Sequence, residues 1–136
     1  MTKTISVDHA FIHGRHAPGP CTLSIDAGRI THILPHATPG PDHMPDVLLT
    51  PAFINAHTHL AMCCFRGLNV ETATHKNVVE DLFFLIESHM TAEDVHAFTL
   101  MGAYESILHG VGLVWGHYYH GQALAAAIAQ TGLCGV

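Results

Sequence analysis

The stretch Pro51-Ala-Phe-Ile-Asn-Ala-His-Thr-His-Leu60 constrains this chain more than any other. Ala52 to Ile54 begin an apolar run of parallel-strand type, and the proline at its head needs no ladder donor. Successive side chains of a strand point to opposite faces, so His57 and His59 are predicted to project the same way from its end. Two neutral imidazoles side by side at the end of a buried strand are a natural ligand pair for zinc or another borderline divalent metal. A bare His-x-His is weak evidence in a chain with 14 histidines, so its neighbours must carry the inference. The plainer reading, two histidines closing a strand without a metal, stays open at this point.

Length and charge narrow the classes. A chain of 136 residues suggests one domain by size alone. With 49% apolar and 12% charged residues the composition is not that of a disordered segment. A net charge of −6 with only five Lys+Arg argues against nucleic-acid binding through phosphate neutralisation. The opening Met-Thr-Lys-Thr-Ile-Ser-Val-Asp lacks the apolar core of a signal peptide, and no run approaches the roughly 18 apolar residues of a membrane span. The expectation is a soluble cytoplasmic protein. Cys21, Cys63, Cys64 and Cys134 show no Cys-x-x-Cys spacing and read as reduced, mostly packing thiols. His9, His13, His16, His32, His36 and His43 are expected in loops as solvated polar residues.

Residues 1–50 read as short strands: Thr4 to Val7, Ala10 to Ile12, Cys21 to Ile25 and Ile30 to Leu34, then Val47 to Leu49. The Pro/Gly-rich His16–Pro20 segment is predicted to be a turn, as is Asp26–Arg29, where Gly28 can take positive φ. A second Pro/Gly-rich loop runs from Pro35 to Pro45. Such spacing predicts a small β-sandwich or partial barrel. After the His-Thr-His strand, Ala61 to Thr74 is expected to be a loop. Asn77 to Ser88 reads as a helix with Phe84 widening its apolar stripe. Thr91 is the predicted N-cap of a second helix, with Val95, Phe98, Met101, Gly102 and Leu108 on one side and Glu105 among them as a paired structural carboxylate. Val111 to Trp115 is a second buried strand. Gly121 to Thr131 is a helix packed through Leu124, Ala125 and Ile128 and stopped by Gly132. Leu133 to Val136 starts a third strand. Strand and helix alternation after residue 50 predicts βα units on a parallel sheet.

The segment Pro51 to Leu60, with Arg66-Gly67 shortly beyond, resembles the first barrel strand of the amidohydrolase superfamily. Within it the likeness is to the branch of cytosine-, guanine- and triazine-type deaminases and chlorohydrolases. The hairpin Ser24 to Ile33 also looks like the opening of these enzymes. The resemblance implies an α/β fold: an N-terminal β-sandwich part over residues 1–50 and the start of a metal-dependent hydrolase (β/α)₈ TIM barrel over 51–136. Such a barrel typically needs about 250 residues, so the chain would hold only its first units. Where the family usually has Ser/Arg-Gly-x-Thr-Thr-x-x-Asp, this chain has His109-Gly-Val-Gly-Leu-Val-Trp-Gly116, and Ala52 replaces the usual glycine.

By resemblance, His57 and His59 are metal ligands, to zinc most readily and to iron as an alternative. Arg66 either meets an anionic or carbonyl group of a small-molecule substrate or pairs with Glu71. His117 and His120 follow the second strand, where a barrel places substrate-contacting groups, or form a polar rim. Further ligands and the acid/base carboxylate belong to later strands and cannot be assigned. The implied activity is hydrolysis of non-peptide C–N bonds, deaminase-like, through metal-activated water. The competing expectation is a catalytically silent fragment that binds metal weakly and associates with copies of itself or with the remainder of a barrel. A non-enzymatic histidine-rich metal binder ranks last, because the histidines are not clustered.

Overall fold

Ile5, Val7, Ala10 and Ile12 set the inner face of the first strand, and the way they do so organises the first half of the chain. In a computed structural model, which describes residues 2–68 and 77–135, they lie on one continuous strand, β1 (Lys3–Ile12). The inward positions are odd up to Val7 and even from Ala10, because a register shift between Val7 and His9 reverses the alternation. That bulge is why the sequence reads as two short strands. β1 pairs antiparallel with β2 (Arg15–Asp26), β2 with β3 (Arg29–Pro35), and β4 (His43–Leu49) runs parallel to β1, giving one sheet of order β3-β2-β1-β4. Val7, Ala10, Cys21 and Leu23 form its buried cluster.

Two turns follow one rule. His13 and Gly14, and again Ala27 and Gly28, both take positive φ (50° and 74°, 48° and 75°), the geometry that matches the twist of a two-residue hairpin. The second was expected from Asp26–Arg29. The expected turn at His16–Pro20 is not there: these residues belong to β2 and pair with β1, Phe11 opposite His16 and His9 opposite Pro18. The prolines are tolerated because β3 pairs β2 only from Cys21 onward, so the segment keeps an open ladder side. His9, His16, His32 and His43 accordingly stand on strands, not in loops.

The chain divides into two compact units, Met1–Pro51 and Ala52–Val136. The second carries a parallel sheet of order β5-β6-β7: β5 (Phe53–Thr58), β6 (Val111–Gly116) and β7 (Cys134–Gly135). After β5, Leu60–Phe65 is a 3₁₀ helix with Leu60 and Ala61 buried, where a loop from Ala61 was expected; Asn69 to Thr74 of that expected loop lie outside the described residues. The expected helix from Asn77 starts as a π-helical turn, Val79–Phe83, and continues as α1 (Phe84–Glu87). It buries no side chain fully, and Phe84 is half exposed.

Helix α2 (Ala92–Leu108) begins at Thr91 with a capping box: the Thr91 hydroxyl accepts from the Asp94 amide at 3.2 Å, and the Asp94 carboxylate accepts from the Thr91 amide at 2.8 Å. Its buried face is Val95, Thr99, Gly102 and Ala103, whereas the predicted Met101 and Leu108 are exposed (Leu108 by 82%). Small residues won the inner face because the helix lies so close to the 3₁₀ segment that a Cβ on Gly102 would stand 2.4 Å from the Leu60 carbonyl oxygen. Helix α3 (Gly121–Thr131) ends at Gly132 with φ of 78°, as expected, but packs through Leu124, Ala127 and Ile128, with Ala125 exposed. Leu60, Ala103, Val114, Leu124, Ile128 and Leu133 make the core of this unit. Among the described residues no helix is long and apolar enough to cross a membrane.

Candidate metal centre

Strand β5 delivers its last residues to the C-terminal end of the parallel sheet, where His57 stands within the strand and His59 just past it. Their side chains point the same way: the Nε2 atoms are 3.3 Å apart and the rings meet edge to face at 87°. The His57 amide is held by the Asn55 side-chain oxygen at 3.2 Å. His59 Nδ1–H donates to the backbone carbonyl of His117, at the end of β6, and His117 in turn donates its amide to the Thr58 carbonyl at 3.2 Å. A carbonyl can only accept, so this bond fixes the His59 tautomer with the proton on Nδ1 and the lone pair on Nε2. A backbone acceptor behind an imidazole is the usual way of orienting a histidine ligand.

The pair fits a divalent ion on donor chemistry. A separation of 3.3 Å is the edge of a tetrahedron with metal–nitrogen bonds of roughly 2.0–2.1 Å. Two imidazoles do not complete a site, and among the described residues no group of three or more His, Cys, Asp or Glu side chains is placed to hold a metal. The imidazole of His117 lies near, with ring centroids 5.6 Å from those of His59, but it is the His117 carbonyl that makes the contact. No sequence pattern announces a backbone acceptor 58 residues away.

Beside His59 opens a cavity of about 380 Å³. Met62, Phe83, Phe84 and Tyr119 give it apolar walls, and His59, Glu87, His117 and Tyr118 are its polar groups. Phe83 is stacked on Phe65 with centroids 4.5 Å apart, which fixes that wall. The Tyr118 hydroxyl donates to Glu87 Oε1 at 2.7 Å; burial, then the Glu87 carboxylate, push this phenol far above the usual tyrosine range, so it stays a donor at any working pH. His120 spends Nε2 on the Met90 carbonyl at 3.2 Å.

Arg66 sits elsewhere in its chemistry. Its guanidinium grips Glu105 through two parallel bonds of 2.6 and 2.7 Å, which raises the arginine and holds the glutamate below the usual carboxylate range. Glu71, the partner weighed from sequence, lies outside the described residues. The four cysteines are free; burial pushes the Cys21, Cys63 and Cys64 thiols up, away from thiolate, and Cys63 donates to the Phe98 carbonyl at 3.1 Å.

Comparison with known proteins names the class. Residues 48–136 match the amidohydrolase family, and the chain belongs to it. A 5-methylthioadenosine/S-adenosylhomocysteine deaminase of Haloarcula marismortui is 32% identical over 114 residues, covering 82% of this chain and 26% of that protein. In structure, an adenosine deaminase from Xanthomonas campestris with bound zinc superposes with a TM-score of 0.71 at 21% identity, over 98% of this chain and 32% of that one. The zinc complex of an atrazine chlorohydrolase from Arthrobacter aurescens gives 0.71 at 14% identity, over 96% and 34%. The chain therefore spans about a quarter of the curated relative's length and a third of each solved structure.

Proposed function

We propose that this chain is the N-terminal part of a metal-dependent amidohydrolase that removes an amino group from a heteroaromatic ring, with a 6-aminopurine nucleoside as the first substrate class to test. The carrying observation is the facing Nε2 pair of His57 and His59 at the edge of an aromatic cavity. The names of the curated relatives, deaminases of modified adenosines, support the choice of substrate over cytosine, guanine and aminotriazines.

In this reading residues 51–136 are the first βα units of a barrel and residues 1–50 are part of a β-sandwich. His57 and His59 hold a divalent ion, zinc before iron. When bound, the ion supplies Lewis acidity that brings the pKa of a water towards neutrality. His59 keeps the lone pair on Nε2 because its proton stays on Nδ1, bonded to the His117 carbonyl. The cavity walls suit a flat ring, with His59 among the polar groups that line it. The balance is water plus aminopurine giving oxopurine and ammonia. Arg66, His117 and His120 remain substrate-binding candidates, with His117 the one that lines the cavity.

A second reading has its own support: among the described residues only two ligands converge, one short of the minimum for a catalytic zinc site. By itself the chain is then silent, and it works when joined to the remaining strands of a barrel or to copies of itself. Ammonia release by the zinc-supplemented 136-residue chain from adenosine, 5′-methylthioadenosine, cytosine, guanine and aminotriazines separates the two. Release abolished by His57→Ala supports the first; no release, with weak zinc binding dependent on both histidines, supports the second. Stoichiometric tight zinc in the double alanine variant overturns both.

A further inference from the structure

We infer that Tyr118 is a positioning residue for the metal ligand His59, acting through the backbone of its neighbour His117 with Glu87 as its anchor. The inference rests on the reading of His57 and His59 as a ligand pair and goes beyond it, because it says what holds one ligand in its binding tautomer.

The segment after β6 has no regular structure to hold it, yet its His117 carbonyl must stay where His59 Nδ1–H can reach it. Backbone bonds hold its two ends, the His117 amide on the Thr58 carbonyl at 3.2 Å and the Ala123 amide on the His120 carbonyl at 2.8 Å. Between them the segment is moored by side chains. The Tyr118 hydroxyl donates to Glu87 Oε1 at 2.7 Å and lies 3.7 Å from Met90 Sδ, and His120 Nε2–H donates to the Met90 carbonyl at 3.2 Å. Glu87 closes α1 and Met90 directly precedes the α2 cap, so both moorings stand on the α1–α2 junction. The Tyr118 ring also lies against the imidazole of His59, with centroids 6.3 Å apart. Of these groups only the Tyr118 hydroxyl is a half-buried polar atom bonded to an ionised acceptor, the strong type of hydrogen bond.

Loss of that bond frees the Tyr118 end of the segment. The His117 carbonyl then drifts, the proton of His59 redistributes between Nδ1 and Nε2, and the fraction of molecules offering Nε2 as a lone pair falls. Affinity falls with that fraction.

The test uses the full chain with ¹⁵N-labelled histidine. In the metal-free protein the His59 ring nitrogens report the tautomer directly. The expectation is a single Nδ1–H form in wild type and a mixture in Tyr118→Phe, which keeps the ring and removes one oxygen. Zinc affinity, corrected with the His57→Ala/His59→Ala variant for the other histidines, should fall about tenfold in Tyr118→Phe, the low end for groups that orient ligands. Glu87→Gln keeps an acceptor oxygen without the charge and should fall between wild type and Tyr118→Phe in both readouts, while Glu87→Ala should match Tyr118→Phe. A wild-type tautomer and wild-type affinity in both Tyr118→Phe and Glu87→Ala overturn the inference. Failure of the ligand reading shows differently: zinc binding would ignore His57 and His59 altogether, while the tautomer measurement still decides the role of Tyr118.

Discussion

Two histidine networks, one in each half of the chain, use the same ring to opposite ends. In the β-unit, His43 sits between Ser6 and Asp8: its Nδ1 meets the Ser6 hydroxyl at 2.9 Å and its Nε2 meets Asp8 Oδ1 at 3.0 Å. Both nitrogens are spent on protein partners, and Ser6 is buried at 4% exposure. At the end of β5, His59 gives Nδ1 to the His117 carbonyl, and its Nε2 meets the Nε2 of His57 at 3.3 Å. The first network joins β1 to β4; the second turns two ring nitrogens towards each other at the end of a strand. What separates the two networks is where the second ring nitrogen goes, and a count of 14 histidines says nothing about that.

The largest effect expected from that contrast is on metal affinity. His57→Ala or His59→Ala should each weaken site-specific zinc binding by at least about a hundredfold, while His43→Ala should leave it within about twofold, measured by competition with a chromophoric chelator. A His43→Ala loss as large as the others would erase the distinction. Next comes the packing that places the residue after His59. Gly102→Ala puts a methyl 2.4 Å from the Leu60 carbonyl, and urea unfolding should show a loss of about 1–3 kcal/mol in the α/β unit. An unchanged midpoint would mean that α2 does not press on the start of the 3₁₀ segment.

His43→Ala itself leaves the buried Ser6 hydroxyl short of a partner and should cost about 1–3 kcal/mol, read in the β-unit. The smallest effect is in pH. The Asp46 amide at 2.8 Å, and then His43, hold the Asp8 carboxyl below its ordinary value. A depressed carboxylate contributes stability that is fully present above its unfolded pKa, about 3.9, and is lost as pH falls through the lower folded value. Acid titration should therefore weaken the β-unit below about pH 4, and Asp8→Asn should flatten that dependence. An acid limb that survives Asp8→Asn assigns it to other carboxylates.

What could be read in the sequence was local. The period of a strand put His57 and His59 on one side, Asp-Ala-Gly-Arg made its turn, and Thr91 and Gly132 bounded their helices, because each depends on residues within a few positions. What could not be read depends on distant partners. His43 passes for a loop residue until Asp8 and Ser6, 35 and 37 positions away, are brought to it. For Arg66 the sequence offers nearby Glu71, and Glu105, 39 positions away, becomes its partner only when α2 presents it. On α2 the apolar period points rightly to Val95 and Gly102 and wrongly to Met101 and Leu108, which are exposed, while Thr99 and Ala103 are buried on the side where Leu60 comes close to Gly102. The carbonyl that orients His59 carries no residue signature at all.

Whether the two Nε2 atoms at the end of β5 share one ion can be read by X-ray absorption at the zinc edge of the chain loaded with one equivalent. Two imidazole nitrogens at about 2.0–2.1 Å are expected, with that signature gone in His57→Ala/His59→Ala. An unchanged imidazole shell in the double variant would place the zinc on other histidines and refute the ligand role of His57 and His59.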